Sequence, residues 1–211
     1  MAKKWTNRIM PGALHFVTGS VIDRKPIFKQ EKYCRAFLEE LQKLRTEREC
    51  KLIAFVLMPD HPHFILNPKG GDIQTATGIL KSFSAKRIVE LAPEREFLKG
   101  EENQVWQESF KALPLWSGWM IKQKIDYIHA NPVKADLCST AAGYRWTSFR
   151  SFYREETDPL MTVDKDWWWE GDHEKIVESV KDLEAEKTAQ LMEKIEANKA
   201  QSRRAGASPP S

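Results

Sequence analysis

The chain has 211 residues, 33 Lys+Arg against 30 Asp+Glu and a net charge of +3, enough for one ordinary domain with a real core and an extension. It contains no apolar run long enough to span a bilayer and no signal-peptide pattern, so the expectation is a soluble cytoplasmic protein without membrane contact. Cys34, Cys50 and Cys138 are odd in number and far apart, which excludes a disulfide framework or zinc ribbon and fits reduced thiols.

The modest net charge hides an asymmetry. Residues 1–154 carry 25 Lys+Arg and 16 Asp+Glu, a net +9, whereas residues 155–211 carry 8 and 14, a net −6. The first part suits a polyanion and the second does not.

Taken in order, Leu14 to Ile22 has the β-branched and aromatic content of a first strand, closed by Asp23-Arg-Lys-Pro26. Gln30 to Cys50 lacks Gly and Pro and repeats Phe37, Leu38, Leu41 and Leu44 at helical spacing. Leu52 to Asn67 reads as a hairpin with its turn at Pro59-Asp60. Asp72 is the expected N-cap of a second helix over about Ile73 to Leu91. Asn103 to Phe110 is read as the fourth strand, and Pro114 to Ala130 as a helix ended by Asn131-Pro132, because the residue before proline is disfavoured in helical conformation. The order βαββαβ predicts an α+β, ferredoxin-like fold, an antiparallel sheet with helices on one face.

Tyr144 to Tyr153 alternates aromatic or basic with small polar residues, which suits an edge segment or a DNA-contacting loop, although packing of such aromatics against the core is the more common use. The Trp167-Trp-Trp169 cluster is expected to dock on the main domain, since three exposed tryptophans invite aggregation. His173 to Asn198 reads as a charged helix and Ser202 to Ser211 as low-complexity sequence expected to be disordered. The expected division is a domain over 1–154, an acidic C-terminal helical extension over 155–200 and a disordered tail over 201–211. The charge contrast raises the further expectation that residues from about Trp167 to Asn198 pack beside the basic part and restrain its access to DNA.

Met58-Pro-Asp-His-Pro-His-Phe-Ile-Leu66 places two histidines one residue apart after an apolar strand. On a strand, His61 and His63 point the same way and can converge on one divalent cation. Farther on, Tyr127 and Asn131 are four apart on one helix, sharing a face, with Gln123 a turn earlier. His129 and His15 are expected to be structural.

These stretches together carry a family resemblance. His61-Pro-His63 after Met-Pro-Asp, and Asp126-Tyr-Ile-His-Ala-Asn-Pro-Val-Lys-Ala-Asp-Leu137, resemble the single-tyrosine HUH transposases, the IS200-like group and more closely the REP-associated tyrosine transposases. Leu14 to Phe28 and Tyr144 to Phe152 are similar to the second group, so the match runs over about residues 12–153. The resemblance implies a HUH endonuclease fold and metal-dependent cleavage and transfer of single-stranded DNA through a 5′-phosphotyrosine intermediate. Tyr127 matches the nucleophile, and His61, His63 and Asn131 match the ligands of Mg²⁺ or Mn²⁺. Such a metal makes the phosphate more electrophilic, which a phenol with an ordinary pKa of about 10 needs. The implied substrate is hairpin-forming REP-like DNA with a single-stranded flank. Lys81, Lys86, Arg87, Lys111, Lys122 and Lys134 are candidate phosphate contacts, and Trp106 or Trp146 candidates for base stacking. Family members include homodimers and monomers, and both stay open. The departure is Pro62, where the family usually has a bulky hydrophobic residue between the histidines. It keeps alive the alternative of a DNA-binding regulator that retains the fold and does not cut.

Overall fold

The computed structural model describes residues 10, 12–92, 104–108, 110–155 and 158–172. The expected helix over His173 to Asn198 and the tail over Ser202 to Ser211 lie outside the described residues. Four strands, β1 (Leu14–Thr18), β2 (Cys50–Met58), β3 (His61–Pro68) and β4 (Lys111–Leu115), form one antiparallel sheet in the order β2-β3-β1-β4. This is the ferredoxin-like order that βαββαβ connectivity predicts.

Helices α1 (Glu31–Glu47) and α2 (Ile73–Glu90) cover one face of the sheet. Phe37, Leu38 and Leu41 of α1 and Ile73, Leu80 and Ile88 of α2 are buried with Val17, Phe55, Leu57, Phe64 and Leu66. Asp72 caps α2 as the sequence predicts, accepting from the Thr75 N–H at 3.0 Å. A third helix, α3 (Gly118–Lys134), lies on the other face, where Ile121, Ile125 and Ile128 pack on Leu14, Ile53, Val56 and Ile65. The change of period in β2, where a register shift falls between Leu52 and Ala54, gives this face both Ile53 and Ala54.

β1 ends at Thr18 rather than Ile22 and α1 at Glu47, before Cys50 opens β2, and two later elements are placed differently from the sequence reading. The fourth strand is Lys111–Leu115 rather than Asn103 to Phe110. Val105 and Trp106 are buried in the α1/α2 core, and Trp106 forms an isolated bridge to Val21, outside the four strands. β4 contains Pro114, which argues against a strand from sequence alone but is tolerated because β4 is at the end of the sheet order. Helix α3 begins at Gly118, capped by Ser117, whose hydroxyl accepts from the Met120 N–H at 3.2 Å. It runs through Pro132 to Lys134, and Ala135 N–H still donates to Asn131 at 3.0 Å. The proline removes one donor in the last turn, while buried Ile128 one turn earlier holds the helix on the sheet.

The outer edge of β2 is covered. Leu57 N–H donates to the Trp146 carbonyl at 2.8 Å, the Tyr144 hydroxyl donates to the Leu57 carbonyl at 2.7 Å, and Phe55 N–H donates to the Ser148 hydroxyl at 2.9 Å. Tyr144 to Ser148 is thus an edge segment leading into α4 (Phe149–Arg154). Farther along, Asp164 N–H donates to the Leu52 carbonyl at 2.7 Å, and the Asp164 carboxylate accepts from Leu52 N–H at 2.8 Å and from Arg45 at 2.7 to 3.0 Å. The tryptophan cluster docks as expected. Trp167 and Trp168 pack on the α3-side core, and Trp169 donates to the Asn67 carbonyl at 2.9 Å, with the Lys51 ammonium 4.7 Å from its ring.

Candidate active site

The hairpin that carries the two histidines is fixed by backbone bonds at its tip. Val21 N–H donates to the Asp60 carbonyl and Phe28 N–H to the Pro59 carbonyl, both at 3.0 Å. Beyond the turn, Met58 pairs with His61 and Val56 with His63. Since Ile65 lies in the α3-side core, His61 and His63, two and four residues earlier on the same strand, project toward that side as well.

Their rings stand 4.8 Å apart between centroids, nearly perpendicular at 85°. Each has its Nδ1 engaged: that of His61 with the Asp60 carboxylate at 2.5 Å, and that of His63 with the Thr18 hydroxyl at 2.8 Å. Asp60 is in turn 3.4 Å from the Arg24 guanidinium. With Nδ1 held on both rings, Nε2 is the remaining ligating nitrogen of each, the arrangement that orients metal-binding imidazoles. Burial, helped by the neighbouring His61, Arg24 and Lys124, lowers the pKa of His63 to about 3. That ring is therefore neutral at pH 7, as a ligand must be.

Tyr127 reaches the same place from α3. Its ring centroid is 5.4 Å from that of His63 and 5.8 Å from that of Phe16, which itself stacks on His63 at 5.4 Å. Tyr127 remains 37% exposed. The Lys124 ammonium lies 5.4 Å from the Tyr127 ring and 4.9 Å from Phe16, and Lys134 is 6.0 Å from the Tyr127 ring. Because α3 continues past residue 131, Asn131 stands one turn beyond Tyr127 in unbroken helical register.

The residues fit a divalent metal. Among the described residues no group of three His, Cys, Asp or Glu side chains is placed to hold an ion, so a third protein ligand must be of another type. The half-buried Asn131, one helical turn beyond Tyr127, is the candidate. Its Nδ2 is buried without a hydrogen-bond partner, and rotating the amide by half a turn exchanges that nitrogen for the oxygen a cation needs. Two imidazoles and an amide leave coordination positions open, as catalysis requires and a structural zinc site does not.

The candidate DNA contacts divide between the two sides of the sheet. Lys111 pairs with Thr18, which pairs with His63, so these three side chains share one row on the α3 side. Lys122 and Lys134 are on α3 itself, Lys122 bound to Asp126 at 2.8 Å. Lys81, Lys86 and Arg87 are on α2, across the sheet from Tyr127. Lys81 donates to the Glu108 carbonyl at 2.6 Å, and Arg87 pairs with Glu90 at 2.9 Å. Trp106 cannot stack on a base: it is 1% exposed, bonded to Ser84 at 3.1 Å and packed on Phe37 and Phe110. Trp146 is half-buried beneath the Arg145 guanidinium at 4.7 Å. His129 is structural, buried against Phe149 and Phe152 with Nε2 2.9 Å from the Ser148 hydroxyl. Sequence reasoning missed Thr18, Asp60 and Lys124. The adjacency of Asp60 to His61 was a visible signal; Thr18 needed the β1–β3 register.

Comparison with known proteins agrees with this architecture. The family described as "Transposase IS200 like" matches residues 12–131. No curated protein matches the chain. A solved REP-associated tyrosine transposase bound to a REP hairpin is similar in structure, with a TM-score of 0.58 at 20% identity over 78% of this chain and 93% of the other. A Deinococcus radiodurans structure assigned as a transposase aligns at a TM-score of 0.43 and 21% identity over 60% of this chain and 95% of its own. With more than half its length matched by the family, and with the fold of a REP-associated tyrosine transposase, this chain belongs to the IS200-like transposases.

Proposed function

We propose that the protein is a metal-dependent single-stranded DNA endonuclease and strand transferase acting through a 5′-phosphotyrosine intermediate on hairpin-forming, REP-like DNA. The observation that carries this reading is the meeting of Tyr127 with His63 at 5.4 Å, beside a histidine pair whose Nδ1 atoms are both held.

The Tyr127 hydroxyl oxygen forms a bond to the scissile phosphorus as the P–O3′ bond breaks. The phenol loses its proton and the departing oxygen gains one, so one DNA end is a free 3′-OH and the other is esterified to Tyr127. An incoming 3′-OH reverses the step and joins a new strand, because the phosphodiester bond energy has been retained. His61, His63 and Asn131 would hold Mg²⁺ or Mn²⁺, which supplies Lewis-acid stabilisation of charge on the phosphoryl oxygens. Asp60 and Thr18 orient the imidazoles. Lys111, Lys124 and Lys134 place positive charge around the phosphate path. Lys81, Lys86 and Arg87 would meet only DNA that continues around to the α2 side.

The test is cleavage of a doubly end-labelled hairpin oligonucleotide with single-stranded flanks, in Mg²⁺ or Mn²⁺. A covalent adduct that requires metal and disappears in Tyr127→Phe is the expected result. Binding without an adduct, across several hairpins and flanks, would assign the chain instead to DNA-binding regulation without cutting.

A further inference from the structure

Helix α3 leaves in water an aromatic ring that its packing does not use. Trp106 is 1% exposed and Trp116, Trp146, Trp167, Trp168 and Trp169 are half-buried, whereas Trp119 is 71% exposed. Among the described residues Trp119 joins none of the packed apolar clusters. It stands in the first turn of α3. Steps of four residues lead from it through exposed Gln123 to Tyr127, so the three form one solvent-facing stripe.

The charge along this stripe is positive. Helix α3 carries Lys122, Lys124 and Lys134 and one carboxylate, Asp126, which Lys122 neutralises at 2.8 Å. The same face of a second copy would bring like charges together, whereas a polyanion is attracted. An indole face stacks on any unpaired base, so it holds a single strand without reading its sequence.

We propose that Trp119 is a base-stacking platform for the single-stranded DNA segment that passes through the Tyr127 site. The inference rests on Tyr127 as the reacting residue. Eight residues of helix separate the two side chains by about 12 Å. At 3.4 Å per stacked nucleotide, and more when the strand is stretched, the stacked base lies within about four nucleotides of the phosphate at Tyr127. Tyr127 and Trp119 thus define two fixed points on one strand, one at a phosphate and one at a base.

The test is equilibrium binding by the full chain, in metal-free buffer, of a hairpin oligonucleotide whose flank carries an abasic site moved one nucleotide at a time. Trp119→Ala is expected to fold normally, because so exposed a ring contributes little to packing and alanine favours helix. It should bind the intact oligonucleotide roughly 5- to 150-fold more weakly, with Trp119→Phe retaining most of the affinity. One abasic position should weaken the wild type by a similar factor and leave Trp119→Ala unaffected. Equal affinity of wild type and Trp119→Ala, or losses that add at every abasic position, would overturn the proposal. So would a loss traced by sedimentation to a change of oligomeric state, which assigns the ring to an interface between copies. Absence of single-strand binding by the wild type would sink both this inference and the nuclease reading. The expected abasic pattern, with no Tyr127 adduct once the same oligonucleotide is given Mg²⁺ or Mn²⁺, would sink the nuclease reading alone.

Discussion

Removing the Asp60 carboxylate should loosen metal binding while leaving the hairpin intact. Asp60 contacts His61 Nδ1 at 2.5 Å and stands 3.4 Å from the Arg24 guanidinium, so its charge is held on both sides. Its backbone carbonyl separately accepts from Val21 N–H, a bond that a side-chain substitution leaves in place. Without the carboxylate, the His61 ring loses the partner that fixes its tautomer and direction. Losses of this kind weaken metal affinity about 10- to 100-fold, or about 1.4 to 2.7 kcal/mol. Asp60→Asn keeps a neutral acceptor and should lose less than Asp60→Ala, since a charge-assisted bond is roughly twice as strong as a neutral one. Titration of the full chain with Mn²⁺, reading free ion by electron paramagnetic resonance, measures the effect directly. The reasoning fails if Asp60→Ala binds Mn²⁺ as tightly as wild type while His61→Ala does not bind; if neither substitution matters, the ligand assignment itself is wrong.

Three further outcomes are expected. Asp164→Ala should cost about 2 to 3 kcal/mol in urea unfolding, because Arg45 and the Leu52 N–H both lose their acceptor; a loss below about 1 kcal/mol would show that the 158–172 strap is not structural. Burial lowers His129 to about 4, below its unfolded value of about 6.5, so its neutral burial stabilises the fold fully above pH 6.5 and the contribution is lost as pH falls toward 4, by about 3 kcal/mol. His129→Gln in metal-free buffer should reduce the slope of stability against pH in that window, leaving the part that buried His63 contributes, and an unchanged slope would refute the assignment. Because Tyr127 meets His63 within one chain, mixing Tyr127→Phe with His61→Ala/His63→Ala should restore no cleavage; recovered activity would mean that α3 is exchanged between copies.

The fold was legible where one signal dominated. Phe37, Leu38, Leu41 and Leu44 mark a single face of α1, and Asp72 announces α2 through the bond it makes. The fourth strand was misplaced because hydrophobicity reports burial before it reports pairing. Trp106 is as deeply buried as the apolar strand positions, yet it belongs to the α1/α2 core, while the true strand hides behind Pro114. Helix α3 was cut short because the rule for residues before proline is local, whereas the packing of Ile128 is not. At the candidate site, His61, His63, Tyr127 and Asn131 were readable as types at characteristic spacings. Thr18 and Lys124 were not, since Thr18 meets His63 across 45 residues of chain, and Lys124 meets Phe16 only when α3 lies on β1.

Pro62 shows how the strand register reconciles an apparent defect with the site. In an antiparallel pair, opposed residues alternate between exchanging two hydrogen bonds and exchanging none. Leu57, opposite Pro62, turns its N–H to Trp146 and its carbonyl to Tyr144, both away from β3. The Leu57–Pro62 pair is therefore of the kind that exchanges none, and the missing proline N–H removes no bond to β2. On its other side the Pro62 carbonyl still accepts from Gly19 N–H at 3.4 Å. A slip of one residue against β2 would make the proline's pair with that strand a bonding one and also turn both histidines to the α1/α2 face. The register that accommodates Pro62 is thus the one that presents His61 and His63 to Tyr127, so the substitution between the histidines leaves their common direction intact.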